Sequence, residues 1–188
     1  LIEKIIEILG KKGYKVGALK HDAHKFEIDK PGKDSWRFSQ EGAENVIISS
    51  KDKLAMVMKL DNYCSVEAIV KMFNGSDIVI VEGFKTSNYP KIEVHRKLVS
   101  QDFLFSKKEY EANTFLAIAT DESVDGIYNL DINNPSDIAG YIESILIKNQ
   151  IDSSEDNFNL NYALSKDINE VVNLNNGDIK IIDEKLIV

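Results

Sequence analysis

Apolar positions in this chain recur with two different periods, and the changes between them mark out its elements. Leu1, Ile2, Ile5, Ile6 and Leu9 share one face of a helix that runs to about Lys12, with Gly13 as its C-terminal cap. Residues 14–19 (YKVGAL) read as a buried strand leading into a polar segment, 20–33. A short helix over 34–41 follows, with Asp34 or Ser35 available to cap its first turn. Residues 46–49 and 54–59 are β-rich runs separated by Ser50-Lys51-Asp52-Lys53, the pattern of a hairpin. Residues 65–73 form an amphipathic helix started by Ser65 and stopped by Asn74-Gly75. The run DIVIV at 77–81 is a buried strand, KIEV at 91–94 alternates as a strand, and FLAIA at 115–119 is again fully buried. A helix over 135–148 places Ile138, Tyr141, Ile142, Ile145 and Leu146 on its inner face.

Helices alternating with short, continuously apolar strands predict an α/β fold: a mainly parallel sheet with helices on both faces, interrupted by a β-hairpin insertion. Residues 1–148 read as one domain, and 149–161 (NQIDSSEDNFNLN) as a polar linker. Residues 162–188 form an extension whose role is unreadable and whose strand-like end is consistent with truncation. Leu1 is already in phase with the first helical stripe, with no Met or capping residue before it, so the chain reads as cut inside that helix.

Composition narrows the function. A net charge of -8 argues against a nucleic-acid partner, which calls for a basic face, and against an anionic membrane surface. The apolar runs are far shorter than the ~20 residues a membrane helix needs. The single cysteine, Cys64, excludes an internal disulfide framework and fits a reducing cytoplasm. Cys64 reads as a small hydrophobe, Trp36 as packing for the short helix, and His95 as a surface or interface residue.

Three segments carry chemistry. In the first, Lys20-His21-Asp22-Ala23-His24 precedes Asp29-Lys30-Pro31-Gly32-Lys33-Asp34-Ser35, directly beyond the carboxyl end of a strand. Open α/β sheets bind ligands there, lysines offset phosphate charge, and aspartates hold Mg²⁺ directly or through water. A structural loop is the competing reading, and His-x-x-His lacks further soft ligands for zinc. Gly32-Lys33-Asp34-Ser35 superficially resembles the end of a Walker A loop, but no stretch of the sequence satisfies that pattern. In the second, the strand at 77–81 delivers Glu82 and then Gly83, Phe84 and Lys85, following Walker B logic. There the acid binds Mg²⁺ or orients an attacking water, and Gly83 admits a phosphate close to the backbone. A solvated Glu and a turn Gly are the plainer alternative. In the third, Thr120 and Asp121 end the late strand, where an aspartate can accept two hydrogen bonds from guanine or cap a turn.

Together the runs KHDAHKFEIDKPGKDSWRFSQEGA, DIVIVEGFK and PKIEVHR, with FLAIATD and LDIN behind them, resemble the molybdopterin-guanine dinucleotide biosynthesis adaptor family, MobB. The resemblance covers roughly residues 1–148. It implies a dimeric P-loop NTPase-like fold that binds GTP with Mg²⁺, hydrolyses it weakly, and assists the guanylyltransferase MobA in attaching GMP to molybdopterin. Family members begin with a strand and a Walker A loop ending in GKTT, and Leu1-Ile2-Glu3-Lys4 resembles the residues just after it. The phosphate loop is therefore expected to be missing, and the weak GTPase activity of the intact family member is expected to be impaired in this chain.

Lys20, His21 and His24 fall on the family's post-strand motif, and Asp29, Gly32, Lys33, Asp34 and Ser35 on its loop. Glu82, Gly83 and Lys85 fall on the Walker B-like motif, and Thr120 and Asp121 on the proposed base site. The expected Mg²⁺ ligands are Asp29, Asp34 and Glu82, with Glu82 also the catalytic group. The runner-up is a non-catalytic module binding molybdopterin or MobA, with Lys20, His21, His24 and Lys33 on a pterin phosphate. A P-loop metallochaperone GTPase or a small-molecule kinase remains a further alternative. A homodimer is also expected because the strand at 54–59 would leave an apolar edge.

Overall fold

The computed structural model describes residues 1–21, 26–155 and 180–185, as backbone alone beyond residue 147. In chain order its elements are α1 (Ile2–Lys11), β1 (Val16–Lys20), α2 (Asp34–Gln40), β2 (Asn45–Ser49), β3 (Leu54–Met58), α3 (Val66–Val70) and β4 (Ile78–Glu82). There follow β5 (Lys91–Val94), a single 3-10 turn at Ala112–Thr114, β6 (Phe115–Thr120), β7 (Asn129–Asp131), α4 (Pro135–Glu155) and β8 (Lys180–Lys185). The chain divides into two compact units, Leu1–His21 with Val70–Val188, and Asp22–Ile69.

The first unit is built on a six-stranded sheet in the order β1-β4-β8-β5-β6-β7, parallel at every pairing. The expected α/β architecture with a mainly parallel sheet is therefore present. On one face, Ile78, Ile80, Ile92, Val94, Ala117 and Ala119 meet Ile5 and Leu9 of α1 and Ile138, Ile142 and Leu146 of α4. Each such aliphatic side chain contributes about 1.5–3 kcal/mol on full burial, so this layer is the main source of stability. Lys12 and Tyr14 both reach Glu143, tying α1 to α4 at the rim.

Several elements differ from the expectation. Residues 14–19 were expected as a buried strand, but β1 starts at Val16 and only its Gly17 is buried. Among the described strands it lies at the sheet edge, and Tyr14 N–H is used to close α1 on Leu9 O at 3.2 Å. Neither Asp34 nor Ser35 caps α2: Lys33 holds the cap position without a side-chain bond, and Ser35 Oγ donates to Asp29 instead. Ser65 does start α3, accepting Ala68 N–H at 3.3 Å, but the helix ends at Val70 rather than Phe73. Helix α4 runs on through residues 149–155, into the segment read as a linker.

Strand β5 departs furthest. KIEV reads as one dry and one wet face, yet Lys91 and Glu93 are each 2% exposed and His95 is 3% exposed. Over β5 the second sheet face is covered by the 96–114 loop rather than by a helix, through Phe103 against His95 and Leu104 N–H on Glu93. His95 is thus buried, not a surface residue. A register shift between β5 and β6 sets Phe115 beside Lys91, whose Nζ lies 5.3 Å from its ring centre.

The second unit contains α2 and the antiparallel hairpin β2-β3, paired from Asn45 with Met58 to Ser49 with Leu54. The turn is closed by Ser50 N–H on Lys53 O at 2.8 Å, matching the expected hairpin insertion. Its strands leave Ile47, Leu54 and Met56 exposed. Among the described residues no helix is long and apolar enough to cross a membrane.

Candidate functional site at the carboxyl edge of the sheet

Because all six strands are parallel, their carboxyl ends share one edge, the side on which open α/β sheets hold ligands. Lys20 and Glu82 close the adjacent strands β1 and β4 in register, and Lys20 Nζ donates to Glu82 Oε1 at 2.6 Å. The ladder extends one residue further, with His21 N–H donating to Glu82 O at 2.8 Å. Beyond Glu82 the chain turns sharply through two left-handed residues, Gly83 (φ 100°) and Phe84 (φ 50°). For Phe84 that backbone is strained, by about 1–3 kcal/mol. It is 8% exposed and its ring stacks on His21, with centroids 4.2 Å apart.

Gly83 has a use beyond its φ. A Cβ there would lie 2.9 Å from His21 Cβ and 3.2 Å from His21 O. The glycine expected to admit a phosphate is thus also what lets the β1 and β4 loops approach each other. Lys85 follows in the same turn, exposed. His24 lies outside the described residues.

At the other end of the edge, Thr120 is buried and its Oγ1 accepts Glu122 N–H at 3.3 Å. Asp121 accepts Lys97 N–H at 3.0 Å and faces Arg96 at 3.5 Å. The Lys97 N–H first, and Arg96 after it, hold its carboxyl below the usual aspartate range. Asp121 therefore already serves the loop after β5, where Arg96 also bonds Asn133 at 3.0 Å. Thr120, Asp121, Asn129 and Asp131 line a polar hollow there of about 480 Å³.

The remaining expected residues belong to the second unit. Asp29 Oδ1 accepts Ser35 Oγ–H at 2.8 Å, while its Oδ2 is buried without a hydrogen-bond partner among the described residues. Asp34 is paired with Arg37, and Gly32 adopts φ 85° to turn the loop into α2. Asp29, Lys33, Asp34 and Ser35 line a groove of about 590 Å³ with Phe38 and Ile47. Among the described residues no three His, Cys, Asp or Glu side chains gather as a metal-holding group.

Sequence reasoning missed Phe84, Lys91 and Glu93. Phe84 follows the expected motif directly but looks like a loop hydrophobe. Lys91 and Glu93 sit in an alternating strand, and nothing local signals that both its faces are dry.

The family model described as MobB, molybdopterin guanine dinucleotide synthesis protein B, matches residues 1–121. The molybdopterin-guanine dinucleotide biosynthesis adapter protein of Haemophilus influenzae is 34% identical over 149 residues, spanning 78% of this chain and 81% of that protein. The protein of the same description from Escherichia coli is 31% identical over 100 residues, 51% of this chain and 57% of the other. The crystal structure of a molybdopterin-guanine biosynthesis protein B (mobB) superposes with a TM-score of 0.60 at 26% identity, covering 77% of this chain and 88% of that one. The sheet is accordingly of the P-loop NTPase-like type, and the chain belongs to the MobB family.

Proposed function

We propose that this chain is a GTP-binding adapter in molybdopterin guanine dinucleotide synthesis, working beside the guanylyltransferase MobA as a homodimer in the cytoplasm. The observation that carries the reading is the Lys20–Glu82 pair, set at the carboxyl ends of neighbouring parallel strands in a chain of this family. In this reading Lys20 and Lys85 offset phosphate charge, and Glu82 orients a water for slow hydrolysis. Thr120 and Asp121 border the polar hollow, which takes the base. The exposed apolar side chains of β2-β3 support self-association.

Two carboxylates bear on Mg²⁺. Asp29 keeps a buried oxygen with no partner among the described residues, a donor suited to a hard cation that retains several waters. Glu82 already accepts from Lys20, so it serves a cation once Lys20 has turned to phosphate. Within its own unit Asp29, joined by Asp34 after release from Arg37, would bear on such an ion, and at the sheet edge Glu82 would do so separately; the ion would supply charge neutralisation at the phosphates. The hold of Lys20 on Glu82 also favours a second reading, in which the chain binds its ligand without turning it over.

Calorimetry with GTP, ATP and Mg²⁺, on a chain supplied with the phosphate loop, tests the first reading. Saturable GTP binding that exceeds ATP binding is expected, with Glu82→Gln lowering turnover more than affinity. No guanine-nucleotide binding at millimolar concentration would sink it. GTP binding with no hydrolysis above the Glu82→Gln level selects the second. Light scattering showing only monomer at micromolar concentration would remove the dimer.

A further inference from the structure

We propose that Lys91 is a positioning residue for the Glu82-Gly83-Phe84-Lys85 turn, holding it from inside the sheet. The inference rests on the proposed role of that turn, but its geometry stands independently of any ligand.

The turn needs holding. Gly83 and Phe84 both occupy the left-handed region, and a non-glycine residue there persists only where its surroundings over-determine it. On the upstream side the constraint is visible: Glu82 O accepts His21 N–H, and the Phe84 ring stacks on His21. Downstream, the chain must travel from Phe84 to the start of β5. Ser87 N–H donates back to Phe84 O at 2.9 Å, so whatever fixes Ser87 also fixes the strained residue.

Lys91 does this. Its Nζ donates to Ser87 O at 2.7 Å, to Tyr89 O at 3.0 Å and to Thr114 Oγ1 at 2.9 Å. Those are as many acceptors as an ammonium has protons. Two lie on the loop that carries the turn, and the third is anchored at the base of β6, where Thr114 Oγ donates to Glu111 O at 2.6 Å. The Phe115 ring lies beside the same ammonium. With 2% exposure this lysine is unavailable to ligand. A buried cation directed at two loop carbonyls four and two residues upstream is costly to keep as mere packing. It ties the conformation of the turn to the rigid sheet.

The test uses the full chain and reads the turn without nucleotide. The His21 ring resonances carry the ring current of Phe84, and Phe84→Leu identifies them among three histidines. In folded Lys91→Met, which keeps the stem and removes the donors, these resonances should move more than halfway toward their Phe84→Leu positions while those of His95 stay put. Unchanged His21 resonances in a folded Lys91→Met chain would overturn the proposal. Should that variant not fold, the unmodified chain decides: slowly exchanging Lys91 ammonium protons with hydrogen-bond couplings to the carbonyls of residues 87 and 89 support the clamp, and their absence refutes it. Where Mg²⁺ and GTP bind the unmodified chain, Lys91→Met should weaken that binding on the order of tenfold, the scale of lost outer-shell support. If no nucleotide binds even to a chain supplied with the phosphate loop, the proposed function fails and the resonance arm still judges the clamp.

Discussion

Two lysine–glutamate sets lie in this sheet and are used in opposite ways. At the carboxyl edge Lys20 and Glu82 pair with each other, with side chains 65% and 24% exposed. Inside the sheet, Lys91 and Glu93 are nearly inaccessible and reach backbone groups: Lys91 donates to two carbonyls and a hydroxyl, and Glu93 accepts from the N–H groups of Leu104 and Phe105. An exposed pair gains little from its geometry and exchanges partners readily. A buried charge held by several backbone groups cannot be released without leaving them unsatisfied. The first arrangement suits a site that must accept a ligand, and the second suits a scaffold that must hold loops still.

The comparison breaks most decisively at Glu93. Glu93→Ala strips two backbone donors of their acceptor at 2.8 and 2.9 Å, and should lower stability by about 2–4 kcal/mol in urea titration. A loss below half a kcal/mol would mean the 103–105 loop is not fixed by this carboxylate. Gly83→Ala comes next, because it adds both a left-handed alanine and a Cβ against His21. About 1–3 kcal/mol should be lost, together with the stack of His21 on Phe84, read from the His21 ring resonances.

Lys20→Met should change stability by less than about 1 kcal/mol while weakening Mg²⁺-dependent GTP binding on the order of tenfold. If stability fell as far as in Glu93→Ala, the edge pair would belong with the scaffold. The smallest effect concerns acid. Lys12, bonded to Glu143, and then Tyr14 hold the Glu143 carboxyl below the usual glutamate range. A depressed carboxyl adds stability above its unfolded value and loses it as pH falls through the folded one. Thermal melts in acid, below the ordinary glutamate value, should therefore show a shallower pH dependence in Glu143→Gln than in the unmodified chain. Identical slopes would remove this pair from the acid response.

Much of the parallel sheet was legible because apolar runs buried on both faces look alike wherever they occur. DIVIV and FLAIA became β4 and β6 within a residue of their expected bounds. Caps were less legible: Ser35, a plausible cap by type, was diverted by Asp29 six residues upstream. β5 was misread because alternation reports chemistry along one strand, while burial of its polar side is decided by a loop some ten residues further on. At the site, Lys20 and Glu82 were both expected, but their mutual bond required knowing that β1 and β4 are neighbours. β8 lies in the run that already read as strand-like, but its place between β4 and β5 was not legible, since its pairing partners lie far away in sequence.

That last strand has a kinetic consequence. β8 sits between β4 and β5, pairing Ile78 with Lys180 on one side and Glu93 with Lys185 on the other. Within the sheet it is the join between β1-β4 and β5-β6-β7. Its contacts therefore close loops of roughly a hundred residues, the kind of long-range pairing that slows folding. Of the described strands β8 is the last in the chain, so β4 and β5 gain their pairing with it only after the other described strands have been made. Among the described pairings, those that arrive last and across the longest stretches of chain are thus the pairings of one six-residue strand.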